Sequence, residues 1–399
     1  MNTQDVLKEY ESYVIANYGR SPIVMDRGQG SYLWDLDGKK YLDFFPGWGC
    51  SAIGHCHPKV VSAIQTQAER LIHIDNTFYS VPQGRLARIL SELGFGGKAF
   101  FCNSGAEANE AAIKLARRHT PAGRYKIITM EKSFHGRTFG AMSATAQSKT
   151  HAGHQPLLPG FTYVPFDDIN AVAKAVDAET AAVLVEPIQG EGGVRVPADD
   201  YLPKLRELCD ENRILLILDE VQTGCGRTGK MFAYQHTPIE PDIMTLAKAL
   251  GAGAPIGAIV AADEVAASLT PGSHATTFGA NPLVVSAAIA MFEVIQSEGL
   301  LDNAVQMGRR IRDKVDQLSN EFSFIEGVRG KGLMLAIELS IPGAGIVAAA
   351  MDRGLRVNCT QDTFLRMLPP INVTAEQVDE AFDILADACA AVHSEGVTI

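Results

Sequence analysis

Cysteine is sparse: seven residues in 399, scattered, with no Cys-x-x-Cys anywhere. That count is too low for a disulfide framework and, being odd, leaves at least one thiol unpaired, so a reducing compartment is expected. No uninterrupted apolar run approaches the roughly 18 residues that a membrane-crossing helix needs. The first twenty residues, MNTQDVLKEYESYVIANYGR, carry acids early and no apolar stretch after a basic start. They are expected to be neither a secretory leader nor a transit peptide. Basic residues are in deficit, with 35 Lys and Arg against 46 Asp and Glu and a formal net charge of −11. This argues against a nucleic-acid surface built on bulk charge. Low-complexity tracts, internal repeats and linkers rich in Pro, Gly or Ser are missing as well. The expectation is a cytoplasmic protein with no nucleic-acid or membrane partner.

What is present is ordinary globular material, 46% apolar and 20% charged. At roughly 150 residues per domain, the length predicts two to three domains. The middle of the chain alternates short apolar runs with helical patterns. Strands are predicted at 99–102, 126–130, 181–185, 214–218 and 243–246, with helices at 107–119 and 202–212. Strands apolar throughout and separated by helices predict an α/β fold, a mostly parallel central sheet covered on both faces. The C-terminal third predicts helices at 281–298, 302–318, 345–353 and 374–393, with a strand at 333–339, and so a smaller α+β domain. Gly30–Gly38 predicts a hairpin, and the N-terminal segment is expected to join that smaller domain. The predicted division is 1–46, a large domain 47–285, and a small domain 286–399.

Ligands collect outside the carboxyl ends of the strands in open parallel sheets. Asn103-Ser-Gly-Ala-Glu107 leaves such a strand and opens a helix. Its free N–H groups suit an anion, although a helix capped by Ser104, in a capping box with Glu107, explains the same residues. Asp219 and Glu220 follow the apolar run Ile214–Leu218: either carboxylates leaving the sheet for solvent, or buried ones that need a partner. Lys248 follows Ile243–Ala247, and is either a surface lysine or a desolvated amine nucleophile.

Three patterns point elsewhere and fail on context. Gly224-Cys-Gly-Arg-Thr-Gly229 matches a dinucleotide fingerprint, but Pro238 and Pro241 interrupt the helix that should follow. With Lys230 it approaches a phosphate-binding loop, but Met231 stands where a Mg²⁺-holding hydroxyl belongs. His55-Cys-His-Pro58 has no second ligand cluster at a zinc spacing and is expected to be a structural turn, so no metal site is predicted. Phe44-Phe-Pro-Gly-Trp48 is expected in the core or on a pocket wall.

Taken together, seven segments in order resemble one family, the class III pyridoxal-phosphate-dependent aminotransferases of fold type I. They are Gly54-His-Cys-His-Pro58, Asn103-Ser-Gly-Ala-Glu-Ala-Asn109, Phe134-His-Gly-Arg-Thr138, Glu186-Pro-Ile-Gln-Gly-Glu-Gly-Gly193, Asp219–Gly229, Leu246-Ala-Lys-Ala-Leu250 and Thr276-Thr-Phe-Gly-Ala-Asn-Pro282. Trp34-Asp-Leu-Asp-Gly38 precedes them and Arg366 follows. Phe134–Thr138 with Thr276-Thr277 is most similar to the acetylornithine and ornithine aminotransferase branch. One departure is that Gly47-Trp-Gly-Cys-Ser51 replaces the Gly-Ile-Ala-Val-Asn common in acetylornithine enzymes.

The resemblance implies roles residue by residue. Lys248 would hold pyridoxal 5′-phosphate as a Schiff base and move a proton on it, while Asp219 would pair with the ring nitrogen. Ser104, Gly105 and Ala106 would bind the phosphate, and Thr277 would reach the phosphate of a neighbouring subunit, making the active unit a homodimer. Phe134 would stack on the ring and Gln222 would contact its 3′ oxygen. Arg137, with Thr276 beside it, would take one substrate carboxylate; Arg366 would take a second, covered by Glu191. The implied reaction moves the terminal amine of N2-acetyl-L-ornithine to 2-oxoglutarate, a step of arginine biosynthesis. The alternatives are an ornithine aminotransferase, a broader ω-amino acid transaminase, or an aminomutase.

Overall fold

The computed structural model describes residues 1–394. Its centre is a seven-stranded sheet in the order Lys98–Cys102, Gly257–Ala261, Ile243–Leu246, Leu215–Asp219, Thr180–Val185, Lys126–Met130, Phe161–Val164. Gly257–Ala261 runs antiparallel to both neighbours, and the other pairings are parallel. Successive side chains point to opposite faces, so each strand feeds two cores. Val183, Val185, Leu216 and Leu218 enter one core, whereas Ala182, Leu184, Leu215 and Ile217 enter the other. That division explains why the strands read as unbroken apolar runs.

Six of the seven strands therefore deliver their carboxyl ends to one edge. The antiparallel strand brings its first residue, Gly257, to the same edge, opposite Cys102. Only glycine fits there, because a Cβ would lie 2.3 Å from the Ser104 carbonyl oxygen. This strand and Phe161–Val164 escape a reading of periodicity because each is short and flanked by turns. The helix Gly105–His119 packs against the Ile243–Leu246 and Gly257–Ala261 strands. The helix Pro282–Ser297 lies against Pro58–Ala68 and Val81–Leu93, two helices not predicted from the pattern.

The expected hairpin is present, Tyr32–Asp35 pairing antiparallel with Lys40–Asp43, and Met25–Gln29 extends it to a three-stranded meander. Gly30-Ser31 makes its first turn. The second closes on Asp35, whose carboxylate accepts from the N–H groups of Asp37 at 3.1 Å and Lys39 at 2.8 Å. Leu355–Arg356 adds to this sheet in parallel with Lys40–Asp43, tying the N-terminal segment to the C-terminal third. A third sheet orders Ile325–Lys331, Met334–Leu339, Phe364–Met367 and Asn358–Thr360, all antiparallel. The C-terminal helix spans Ala375–Ser394; residues 395–399 of the expected small domain lie outside the described residues. Among those described, no single helix is long and apolar enough to cross a membrane.

Candidate active site

Asp219 ends its strand fully buried. Its Oδ2 accepts from Asn109 Nδ2 at 2.8 Å and faces His135 Nδ1 at 2.7 Å, while Oδ1 accepts from the Val221 N–H at 3.0 Å. Burial alone would raise its pKa; the His135 and Asn109 contacts outweigh that, and the carboxyl stays below its ordinary value. Asp219 is thus the buried, partnered carboxylate of the two readings the sequence left open.

Lys248 follows the next strand after one residue and adopts φ +43°. Left-handed backbone costs a residue with a Cβ on the order of 1 kcal/mol or more, and such outliers concentrate where a side chain must be aimed. Burial pushes the ammonium pKa below its ordinary value, against the opposing charges of Glu191 and Asp219. Lys248 is the desolvated amine, not a surface lysine.

Ser104 caps the fifteen-residue helix Gly105–His119, accepting from the Glu107 N–H at 3.2 Å. The expected capping box is only half formed, because Glu107 turns to the Asn103 N–H at 2.5 Å instead of to Ser104. The N–H groups of Gly105 and Ala106 are left at the helix start, as an anion site requires. A Cβ on Gly105 would meet Val221 Cγ1 at 2.8 Å, so the helix start is pressed against the loop that follows Asp219.

The loop after Thr180–Val185 carries Glu186 and Glu191. Glu186 is buried and accepts from the N–H groups of Phe134 and Gly190, each at 3.2 Å. Burial, with the nearby Asp219 charge, raises its pKa to about 7. Phe134 is thereby anchored at the pocket, half-buried, with the Arg137 guanidinium 5.4 Å from its ring centre. Arg137 itself is exposed. Gln222 Nε2 lies 3.5 Å from the Trp48 carbonyl, and among the described residues its buried Oε1 has no partner. Trp48, at φ +57°, is about half exposed and set edge-on to Phe45 at 5.7 Å, which puts it on the pocket wall.

On the far side, Glu191 Oε1 receives a hydrogen bond from Arg366 Nη1 at 2.6 Å. Burial would raise the Glu191 pKa, but the Arg366 charge and hydrogen bond hold it below its ordinary value. Thr276 Oγ1 accepts from Asn103 Nδ2 at 3.3 Å and from the Gly279 N–H at 3.2 Å, which places it beside the start of the Gly105 helix. Among the described residues no hydrogen bond links Thr276 to Arg137. Thr277 is exposed and borders a cavity of about 400 Å³ with Asn103, Glu107, Glu110 and His274.

The family of class III aminotransferases matches residues 13–389. The chain belongs to the class III aminotransferases. Within that family it is 50% identical over 388 residues to the acetylornithine aminotransferase of Methanocaldococcus jannaschii, covering 96% of this chain and 97% of the relative. The ornithine aminotransferase of Toxoplasma gondii superposes with a TM-score of 0.95 at 35% identity, over 99% of this chain and 96% of that one. The acetylornithine aminotransferase of Elizabethkingia anophelis superposes with a TM-score of 0.88 at 34% identity, over 98% and 100%.

Several contacts of this aminotransferase were not predicted. His135 and Asn109 stand behind Asp219, and Glu186 holds Phe134. Asn358 Oδ1 accepts from Arg366 Nε at 3.2 Å and Nη2 at 2.9 Å, and Phe45 lies under the guanidinium at 4.8 Å. The only hint was the position of His135, Asn109 and Glu186 within the Phe134–Thr138, Asn103–Asn109 and Glu186–Gly193 segments, and none existed for Asn358. Among the described residues no helix opens at the glycine-rich 224–229 segment. It carries Arg227, fully buried, which donates to the carbonyls of Leu333, at 3.3 Å, and Pro369. His55 faces Asp43 at 2.9 Å and His57 precedes the helix Pro58–Ala68, opposite Glu298 at 3.6 Å.

Proposed function

We propose that this enzyme transfers the terminal amino group of N2-acetyl-L-ornithine to 2-oxoglutarate, giving N-acetyl-L-glutamate 5-semialdehyde and L-glutamate. The observation that carries the reading is the Glu191–Arg366 pair, whose charges act on the Lys248 amine together with that of Asp219. Both ω-amine donor and glutamate must place a reacting nitrogen at the same point. Glutamate brings an α-carboxylate beside that nitrogen and the donor does not. An arginine with a removable carboxylate partner serves both.

The site residues fit pyridoxal 5′-phosphate. A desolvated lysine, a buried carboxylate held anionic by donors, the open helix start at Gly105 and Ala106 with Ser104 beside them, and the unpartnered Oε1 of Gln222 match its aldehyde, ring nitrogen, phosphate and ring hydroxyl. When bound, the group supplies an electron sink for the bond being broken at the substrate carbon. Lys248, its ammonium pKa lowered by burial, would bind the group through Nζ and afterwards carry a proton there. Asp219 would keep a proton on the ring nitrogen by remaining charged, a state that His135, Asn109 and the Val221 N–H favour. Phe134, held by Glu186 through its N–H, would cover one face of the ring. Arg137 binds the distal carboxylate of either substrate, and Arg366 the α-carboxylate of glutamate.

The reading extends to a homodimer in the cytoplasm, with residues 47–285 holding the cofactor and 1–46 joining 286–399. Support for a second copy comes from Leu71, Ile72, Phe78, Tyr79 and Val81, exposed beside a groove of about 970 Å³. Patches of this kind on a soluble chain mark association surfaces. Thr277 would then reach the cofactor phosphate in the partner's site. Rapid mixing of holoenzyme with single amines tests the donor: acetylornithine should convert the cofactor fastest, and equal or faster conversion by ornithine would overturn the assignment. Sedimentation as a monomer would overturn the dimer.

A further inference from the structure

Arg366 makes three hydrogen bonds, and their distribution is unequal. Asn358 Oδ1 takes both Nε and Nη2, at 3.2 and 2.9 Å, whereas Glu191 takes only Nη1, at 2.6 Å. Arginine has no acceptor, so the Asn358 atom facing it is fixed by chemistry as the amide oxygen. The contact is built into the sheet: Asn358 and Arg366 are register partners on adjacent antiparallel strands. The same hairpin grips the backbone of Glu191, whose carbonyl accepts from Thr360 Oγ1 at 2.8 Å and Gln361 Nε2 at 3.1 Å. Phe45 closes one face of the guanidinium at 4.8 Å.

We propose that Asn358 is the positioning residue that makes Arg366 a switchable anion site, aiming the guanidinium without neutralising it. The proposal rests on the reading of Arg366 as the α-carboxylate site. The Nε/Nη2 edge, one of the two forks an arginine can offer a carboxylate, is filled by a neutral acceptor. When Glu191 leaves, Arg366 cannot rotate away, and it keeps its full charge. The substrate carboxylate is therefore received on the Nη1/Nη2 end, where Nη1 has just been released and Nη2 retains a second N–H. With its backbone gripped by Thr360 and Gln361, Glu191 is left to exchange through its side chain alone. A carboxylate at position 358 would hold the same geometry and cancel the charge; an aliphatic side chain would keep the charge and lose the aim.

Two substitutions in the holoenzyme separate these terms. Calorimetric titration with glutarate reports dicarboxylate binding, and titration with N-acetyl-L-norvaline, the donor lacking its terminal amine, reports the single-carboxylate mode. Asn358→Asp should weaken glutarate binding about tenfold or more and leave N-acetylnorvaline within about twofold. Its glutamate half-reaction should lose through KM with little change in the limiting rate. Asn358→Leu should lose in the limiting rate as well, because the bound carboxylate is no longer held in one orientation. Retained N-acetylnorvaline binding certifies the fold of each variant. Wild-type enzyme that binds no glutarate overturns the Arg366 reading and this proposal together. Wild-type binding that Asn358→Asp leaves unchanged, or losses equal for both ligands, overturns the role of Asn358 alone.

Discussion

Glu191 Oε1 and Arg366 Nη1 are 2.6 Å apart, and the arginine side chain is almost completely buried while the glutamate keeps a quarter of its surface. The cation is thus the fixed member and the anion the mobile one. Breaking such a pair by deleting one partner leaves the other charge uncompensated, and an incoming carboxylate is the natural replacement. Glu191→Ala should speed the glutamate half-reaction relative to the donor half-reaction, by about tenfold or more in their ratio. Stopped-flow measurement of each half gives the ratio directly, and equal changes in both would refute a switch. Arg366→Ala should damage the glutamate half most, and Arg137→Ala both.

Lys248 is predicted to carry the cofactor covalently. Borohydride treatment of the holoenzyme should fix pyridoxal phosphate to the peptide containing Lys248, identifiable by mass. Label on another lysine would displace Lys248 from its role. Lys248→Ala should abolish turnover while still binding the cofactor noncovalently.

Asp219→Asn should lose far more in rate than in stability. The asparagine keeps the shape of the site but gives the ring nitrogen no anion, and the cost by analogy with other preorganised contacts is on the order of several kcal/mol in the barrier. Near-normal turnover would remove Asp219 from the mechanism. His135→Asn should produce a smaller loss in the same direction, since Asn109 and the Val221 N–H continue to hold Asp219.

Asp219 and Lys248 were legible because each follows an apolar strand, and a charge placed there is conspicuous against its surroundings. The parallel sheet was legible for the same reason, through strands apolar on both faces. His135 and Asn109 were not, because a polar residue inside a loop or helix gives no sign of which neighbour it faces. Asn358 meets Arg366 only through a hairpin register, which depends on the left-handed turn at Gln361 and Asp362, φ +49° and +61°. The glycines around Arg227 mislead because their spacing serves close approach. A Cβ at Gly229 would lie 2.5 Å from Val305 Cγ2, and one at Gly332 would lie 2.4 Å from the Thr228 carbonyl carbon.

Arg227 joins the loop after Asp219 to the ends of two strands of the sheet that carries Arg366. Arg227→Met should strand the carbonyls of Leu333 and Pro369 without donors, at about 1–3 kcal/mol for each buried group. Arg227→Lys, able to reach one of them, should lose less. Urea unfolding of the holoenzyme orders the two variants, and a methionine variant as stable as wild type would contradict the strut.

Glu220, next to Asp219, gives a stability change of predictable sign. It is buried, accepting from Thr223 Oγ1 and from the Tyr234 N–H at 2.8 Å. Burial raises its pKa from 4.5 to about 7, against the pull of those hydrogen bonds. The unfolded chain releases this proton near 4.5 and the folded chain only near 7. Between those values the folded state holds more protons, so this group costs stability as pH rises through the window and costs most above it. The full effect is on the order of 3 kcal/mol. Glu220→Gln removes the charge and can keep both contacts, its oxygen accepting from the Tyr234 N–H and its amide donating to the Thr223 hydroxyl. The melting temperature of the variant relative to wild type should therefore climb between about pH 5 and pH 8 and then level off. A difference that stays flat across that range, or that falls, would mean Glu220 is already ionised in the folded protein at the lower pH.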